Sequence, residues 1–316
     1  MSPPLKSIAG NAAIRSAPPA RIDRPFKGIA LLISSTIFLA CSDAMGKYLT
    51  KSLPPIEVGW LRFTMFALIM LPVLIRHPRA LKSANPGVQT MRALALLSSS
   101  LLFISGLRFL PIAEASATTF IAPLFVTALS IFFLGEKVGL RRWAATAVGL
   151  LGVLIVVRPG TAAFHPASVL PILSALGWAC TLVLTRKMSG ADGVVTTMAY
   201  SALVGFVVLS VAVPFYWVTP TWQQVAIGAC IGIAATTGHW IVVLAFRYAD
   251  ASVLAPFSYS QLVWVTLLGF LMFGEVPDLW TVAGAAIIIG SGLYTAHRER
   301  LRRAQPKFAA ETCPAA

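Results

Sequence analysis

Charge is scarce in this chain, and negative charge scarcest: 11 Asp and Glu stand against 25 Lys and Arg in 316 residues, and charged residues together make up 11%. Soluble domains carry about a quarter charged residues, so a soluble protein of this length could not cover its surface with so few. Metal-hydrolase spacing is absent. His77, His165, His239 and His297 are scattered over different predicted elements, with no His-Glu-x-x-His run. A phosphate-cradling glycine loop ending in Lys-Ser/Thr is also absent, which excludes a built-in ATPase. The four cysteines, Cys41, Cys180, Cys230 and Cys313, have no ligand spacing, and the first three lie in apolar runs as small buried residues. Neither a metal nor another cofactor is expected. Residues 1–25 lack an apolar core followed by a cleavage site, so they read as a disordered cytoplasmic tail, and residues 298–316 read the same way.

What the chain has is apolar length: 57% hydrophobic residues and a mean hydropathy of +0.80. The runs are roughly 20 residues long, enough for a helix to cross about 30 Å of hydrocarbon. Short alternating strands of a membrane barrel are not seen. The fold class is therefore all-α integral membrane, with ten predicted spans at about 28–48, 55–75, 91–110, 113–134, 141–158, 167–186, 194–216, 223–246, 251–273 and 279–297. A net charge of +14 does not point to nucleic acid here, because the basic residues sit in short loops and tails. With the N-terminus inside, 20 Lys and Arg, Arg92 among them, fall on the inner side, and Lys47, Lys51, Arg108 and Arg158 on the outer side. Both termini are thus predicted to be cytoplasmic, in a multi-pass protein of the inner (plasma) membrane.

The chain uses one pattern twice. Arg108–Arg142 and Arg247–Thr281 each combine a polar lead-in, an apolar run with an early proline (Pro123, Pro256) and a Gly-Glu pair. Arg108 and Arg247, Gly135 and Gly274, Glu136 and Glu275, and Lys47 and Arg186 all stand 139 residues apart. A constant shift across such distant marks means duplication. Each half (26–158 and 167–297, joined by the linker 159–166) holds five spans, an odd number, so the second is inverted. The basic residues Lys137, Arg141 and Arg142 of the first turn are replaced by Val276, Trp280 and Thr281 in the second, as inversion demands. Inverted repeats are a common plan of secondary transporters, with substrate near the midplane between them.

FLGEKVGLRRW at 133–143 and LMFGEVPDLW at 271–280 resemble the EamA-type drug/metabolite transporter superfamily over about residues 26–296. SDAMGKYL at 42–49 with EVGWLRF at 57–63 resembles its branch of S-adenosylmethionine uptake transporters, with riboflavin carriers among the wider relatives. The resemblance implies alternating access and a central cavity, walled by spans 1, 3, 4, 6, 8 and 9, for a charged, zwitterionic or planar metabolite, with a proton gradient as a candidate drive.

Asp43 and Lys47 stand four apart on span 1 and can pair on one helix face. Glu57 and Arg62 lie in the first turns of span 2. Charges at membrane depth face a cavity or a partner, so this group reads either as an outer gate or substrate site, with Asp43 and Arg62 interacting, or as a structural ion-pair cluster. His239 in span 8 can relay protons or bind substrate, or hydrogen-bond a neighbouring helix. Ser258, Tyr259, Ser260 and Gln261 follow Pro256, which loosens the turn before it. Four polar residues in succession cannot all face one helix, which favours a cavity lining over interhelical bonding. Trp178 and Tyr200 can stack on a planar ligand or serve as packing anchors. Gly149, Gly152, Gly284, Gly290 and Gly292 suit close helix approach. Glu136 and Glu275 read as anchors of turns. A small-molecule substrate and the lipid bilayer are the expected partners, nucleic acid is not, and a homodimer is compatible with the sequence. An integral-membrane enzyme or a non-transporting scaffold is the alternative, but the acids and histidines do not cluster at one interface.

Overall fold

The computed structural model describes residues 24–134, 140–161, 164–188, 192–249 and 251–311, and the secondary structure among them is helical. Twelve α-helices run in order: α1 (Pro25–Thr50), α2 (Pro55–Arg76), α3 (Pro86–Leu107), α4 (Ile112–Thr119), α5 (Ala122–Leu134), α6 (Leu140–Val157), α7 (Val169–Lys187), α8 (Val194–Ala212), α9 (Trp222–Tyr248), α10 (Ala251–Ser258), α11 (Ser260–Phe273) and α12 (Leu279–Glu311). The first Gly-Glu turn, with Glu136 and Lys137, lies outside the described residues, as do residues 1–23 and 312–316.

The local sequence accounts for where helices begin and end. Pro25, Pro55 and Pro86 open α1, α2 and α3, where a missing N–H costs nothing. A Thr221–Gln224 capping box opens α9. Gly274, at φ 68°, closes α11 in the left-handed conformation that a glycine adopts without strain. Beyond Arg298 the backbone of α12 stays helical to Glu311, where the sequence suggested a disordered tail. The stretch is rich in Arg and Ala, which extend a helix readily.

Among the described residues, seven helical segments are long and apolar enough to cross a membrane, and three shorter apolar helices accompany them. The chain is a multi-pass membrane protein. Large apolar side chains such as Phe132, Trp222 and Leu279 point outward, as a lipid-facing surface requires.

Two of the predicted spans are broken. Between α4 and α5 the backbone tightens, with Phe120 and Ile121 N–H bonding to the Ala117 and Thr118 carbonyls. Pro123, second in α5, cannot donate and crowds the preceding turn. The second break falls at Tyr259, after Pro256 rather than before it. There Leu262 N–H bonds to the Tyr259 carbonyl three residues back, and the Ser260 hydroxyl donates to the Phe257 carbonyl at 2.7 Å. A hydroxyl that competes for helix carbonyls weakens the regular ladder.

The packing pairs are reciprocal. α1 packs on α9 and α3 on α7; α2 packs on α9 and α3 on α8; α5 packs on α7 and α11 on α1; α2 meets α8, and α6 meets α12. Exchanging the two halves of the chain turns each of the first six pairs into another of the set and maps α2–α8 and α6–α12 onto themselves. The α6–α12 crossing is backbone against backbone: a Cβ on Gly152 would lie 2.8 Å from Ile288 Cγ1 and 2.9 Å from the Gly284 carbonyl oxygen. Gly290, which the sequence grouped with these glycines, meets open space instead. At one end of the bundle Asp192 accepts hydrogen bonds from Ser83 Oγ (2.6 Å), Gln89 Nε2 (2.8 Å) and the Ala84 N–H (2.9 Å). The Ser83 bond first, then those from Ala84 and Gln89, hold its carboxyl below the usual carboxylate range.

Overpacking a tight helix crossing costs about 1–3 kcal/mol. Gly152→Leu should therefore lower the melting temperature of the purified protein, whereas Gly290→Leu should leave it unchanged. Equal effects of the two substitutions in a thermal-shift assay would contradict this account of the α6–α12 crossing.

Candidate functional site

Asp43 on α1, Arg62 on α2, Trp178 on α7, His239 on α9 and Gln261 on α11 converge within the bundle. Asp43 Oδ2 accepts a hydrogen bond from Gln261 Nε2 at 3.2 Å, which ties the first half to the second. Asp43 and Arg62 lie within electrostatic range of each other. They form no ion pair, and the Arg62 guanidinium has no hydrogen-bond partner among the described residues. His239 Nδ1 donates to the Ala235 carbonyl at 2.8 Å, which leaves Nε2 to act as the acceptor when the ring is neutral. Trp178 meets the His239 ring edge-on, centroids 6.3 Å apart. Opposite charges, a flat aromatic face and a ring nitrogen brought together in this way can hold a zwitterion with a planar part.

The broken helices meet at the same level of the chain's repeat. Phe120, at the α4–α5 break, and Tyr259, at the α10–α11 break, pack ring on ring at 5.0 Å. The two residues are 139 positions apart, as are the bounds of α4 and α10. The Tyr259 hydroxyl sits against Gly292 of α12, a place no larger residue could leave free.

Lys47 does not pair with Asp43. Its ammonium forms an ion pair with Glu275 and donates to the Leu110 carbonyl at 2.7 Å. Four residues beyond Asp43, one helical turn carries Lys47 to the end of α1, where the α11–α12 turn brings in a carboxylate. Glu275 Oε2 also accepts from the Ile112 N–H at 3.0 Å and so caps α4. Glu275 is thus an anchor of its turn, as the sequence suggested. The same end holds Glu57, fully buried, with Oε2 accepting from the Val218 N–H at 3.2 Å and Oε1 unpaired. It also holds a cavity of about 210 Å³ lined by Glu114, Arg158, Glu275 and Asp278 among others. Arg158 and Asp278 bridge it at 2.6 Å.

Tyr200 is placed apart from the other candidates, its hydroxyl donating to the Leu81 carbonyl at 3.2 Å near the Asp192 loop. Arg92, assigned above to a loop, lies in α3, with Nε donating to Thr185 Oγ1 at 2.6 Å and Nη1 to Ser201 Oγ at 2.8 Å. The positive-inside pattern shows only that Arg92 lies toward one end and not that it turns inward. Glu114 and Arg158 were not selected from the sequence, because their neighbours are distant in the chain. Among the described residues, no group of His, Cys, Asp or Glu is placed to hold a metal ion.

A helical membrane protein whose ionisable groups gather around interrupted helices belongs with the carriers. Residues 26–158 and 165–295 each match the model of the EamA-like transporter family, and the chain is a member of that family and not an enzyme. It is 31% identical over 274 residues to the S-adenosylmethionine uptake transporter of Rickettsia bellii (strain RML369-C), covering 86% of this chain and 94% of the relative. It is 30% identical over 276 residues to the riboflavin transporter of Vibrio cholerae serotype O1, covering 84% and 91%. A pseudopaline exporter of Pseudomonas aeruginosa (strain UCBPP-PA14) is 24% identical over 269 residues, covering 83% and 93%. A protein crystal structure shares the fold with a TM-score of 0.61 at 19% identity, covering 85% of this chain and 96% of that one.

Removing one partner of a buried ion pair costs about 3–5 kcal/mol, because the other charge is stranded. Lys47→Met should lower the melting temperature strongly, and Lys47→Met combined with Glu275→Gln should recover much of the loss. Additive losses in this double-mutant cycle would mean that the two side chains do not neutralise each other.

Proposed function

We propose that the protein is a secondary transporter that moves a small zwitterionic metabolite with a planar ring, of the S-adenosylmethionine type, across the inner membrane by alternating access. The observation that carries this reading is the unbridged pair Asp43 and Arg62 beside Trp178 and His239. A permanent structural bridge would bring the two charges into contact. Held apart, each is available to the opposite charge of a ligand: Asp43 to a cationic group and Arg62 to an anionic one. Riboflavin lacks such paired charges, so the chemistry of these side chains favours the first group of relatives. Gating then falls to the Lys47–Glu275 end rather than to Asp43 and Arg62.

Ten crossings in two inverted five-helix repeats, with both termini cytoplasmic, fit the reciprocal helix pairs and the 139-residue spacing. In this arrangement the substrate sits between the repeats, near the meeting of Phe120 and Tyr259, and the Lys47 end is the outer one.

Uptake of radiolabelled S-adenosylmethionine into proteoliposomes, with and without a proton gradient, tests the function. Asp43→Asn and Arg62→Gln should each reduce uptake roughly tenfold or more, as expected for loss of a charged hydrogen-bond partner, while the protein still inserts. Wild-type uptake by either variant would remove that residue from the substrate site, and saturable riboflavin uptake without S-adenosylmethionine uptake would overturn the zwitterion. Topology has its own test: a reporter fused after Arg303 should be active only as a cytoplasmic reporter, and periplasmic activity would reverse the orientation.

A further inference from the structure

Arg92 is not used by the site described so far, yet it is the hardest residue to explain as scaffold. It is half-buried in α3, about two turns from Pro86. Its two hydrogen bonds go to neutral hydroxyls, Thr185 Oγ1 on α7 and Ser201 Oγ on α8. Among the described residues no carboxylate lies within ion-pair distance. A guanidinium has five N–H donors, and hydroxyls satisfy two of them here without neutralising the charge. A tie between helices needs only the hydroxyls; a full positive charge at this depth calls for an anion.

Its position follows from the repeat. Ser201 on α8 stands 139 residues after Arg62 on α2, and the α2–α9 and α8–α3 contacts are counterparts under exchange of the halves. Arg92 reaches from α3 to within 2.8 Å of Ser201. One half therefore carries a guanidinium on α2 itself, and in the other α3 delivers one to the matching place on α8. Both arginines belong to the first half, but Arg92 bonds to α7 and α8 of the second, and His239 of that half lies within electrostatic range of both cations.

We propose that Arg92 is a second binding station for the substrate's carboxylate, on the opposite half of the path from Arg62, and that the carboxylate passes between the two guanidinium groups as the halves exchange access. This rests on the carrier reading above and adds a residue that discriminates for the anionic group. Two guanidinium groups and the single acid Asp43 lie around His239 and Gln261, a balance that favours a ligand bringing a negative group of its own.

The first test does not need the natural substrate. The purified full-length protein is melted over a titration of sodium acetate, the bare carboxylate, at ionic strength held constant with isethionate, with acetamide as the uncharged control. Acetate should stabilise the wild type saturably and acetamide should not. Arg92→Gln should raise the half-saturating acetate concentration about tenfold, the loss of one charged hydrogen bond. Arg92→Lys, which keeps the charge but not the fork, is the second variant should the first fail to fold, and it should give a smaller rise in the same direction. An unchanged acetate response in the folded variant, whatever happens to the melting point of the empty protein, overturns the proposal and leaves Arg92 as a helix tie. The same saturable response to chloride, lost in the same variant, also overturns it in favour of a free-anion site.

In the second test, wild-type proteoliposomes should prefer S-adenosylmethionine over its decarboxylated analogue in competition for uptake, and Arg92→Gln should abolish the preference. If the wild type takes up neither compound, the substrate reading fails while the acetate titration still judges Arg92.

Discussion

A buried charge is stabilised by its opposite, and the pair Lys47 and Glu275 is where this chain meets that demand across its two halves. Neither side chain could be placed there alone without a large desolvation cost. Glu275 serves three neighbours at once: its carboxylate takes the ammonium of α1 and the first N–H of α4, and its own N–H donates to the Gly269 carbonyl at the glycine turn that ends α11. Phe273 adds its ring face to both Lys47 and Lys51. The register of α1 against α4 and α11 follows from these contacts. Asp43, one turn back along α1, is thereby aimed at Gln261 rather than at its own helix neighbour.

The breaks in two helices are the complement of that constraint. A continuous helix satisfies its own backbone and offers nothing to a ligand; an interrupted one frees polar groups, tolerated in a membrane only where protein or a cavity receives them. Here both interruptions are brought together by aromatic rings of equivalent position, Phe120 and Tyr259. The chain concentrates its irregular backbone at one place and keeps the surrounding α1, α2, α7 and α9 regular enough to hold their charged and aromatic side chains in fixed directions.

Much of this was legible in the sequence, for reasons that can be named. Apolar length and the 139-residue spacing reveal spans and duplication because both are one-dimensional properties. Asp43, Arg62, Trp178, His239 and Gln261 could be singled out because a polar or large aromatic residue in an apolar run has few bland explanations. The partner of Lys47 was not legible: helix spacing offered Asp43, while the true partner lies 228 positions away. The prolines misled as well, since Pro123 and Pro256 do not keep the repeat spacing, whereas Phe120 and Tyr259 do and mark the breaks. Arg92 was read as one more positive loop residue, because a count of Lys and Arg carries no information on which way a side chain turns.

The crossing of α6 and α12 has a mechanical meaning. Helices that touch through side chains can slip by trading one set of rotamers for another, and sliding of that kind underlies many domain motions. Gly152 and Gly284 touch through their backbones, and carbonyls have no rotamers to trade. The seam between the last helices of the two halves is therefore a rigid spine. If the halves exchange access as proposed, each flexes against it like a leaf on a fixed pin, with the movement in the helices furthest from that line.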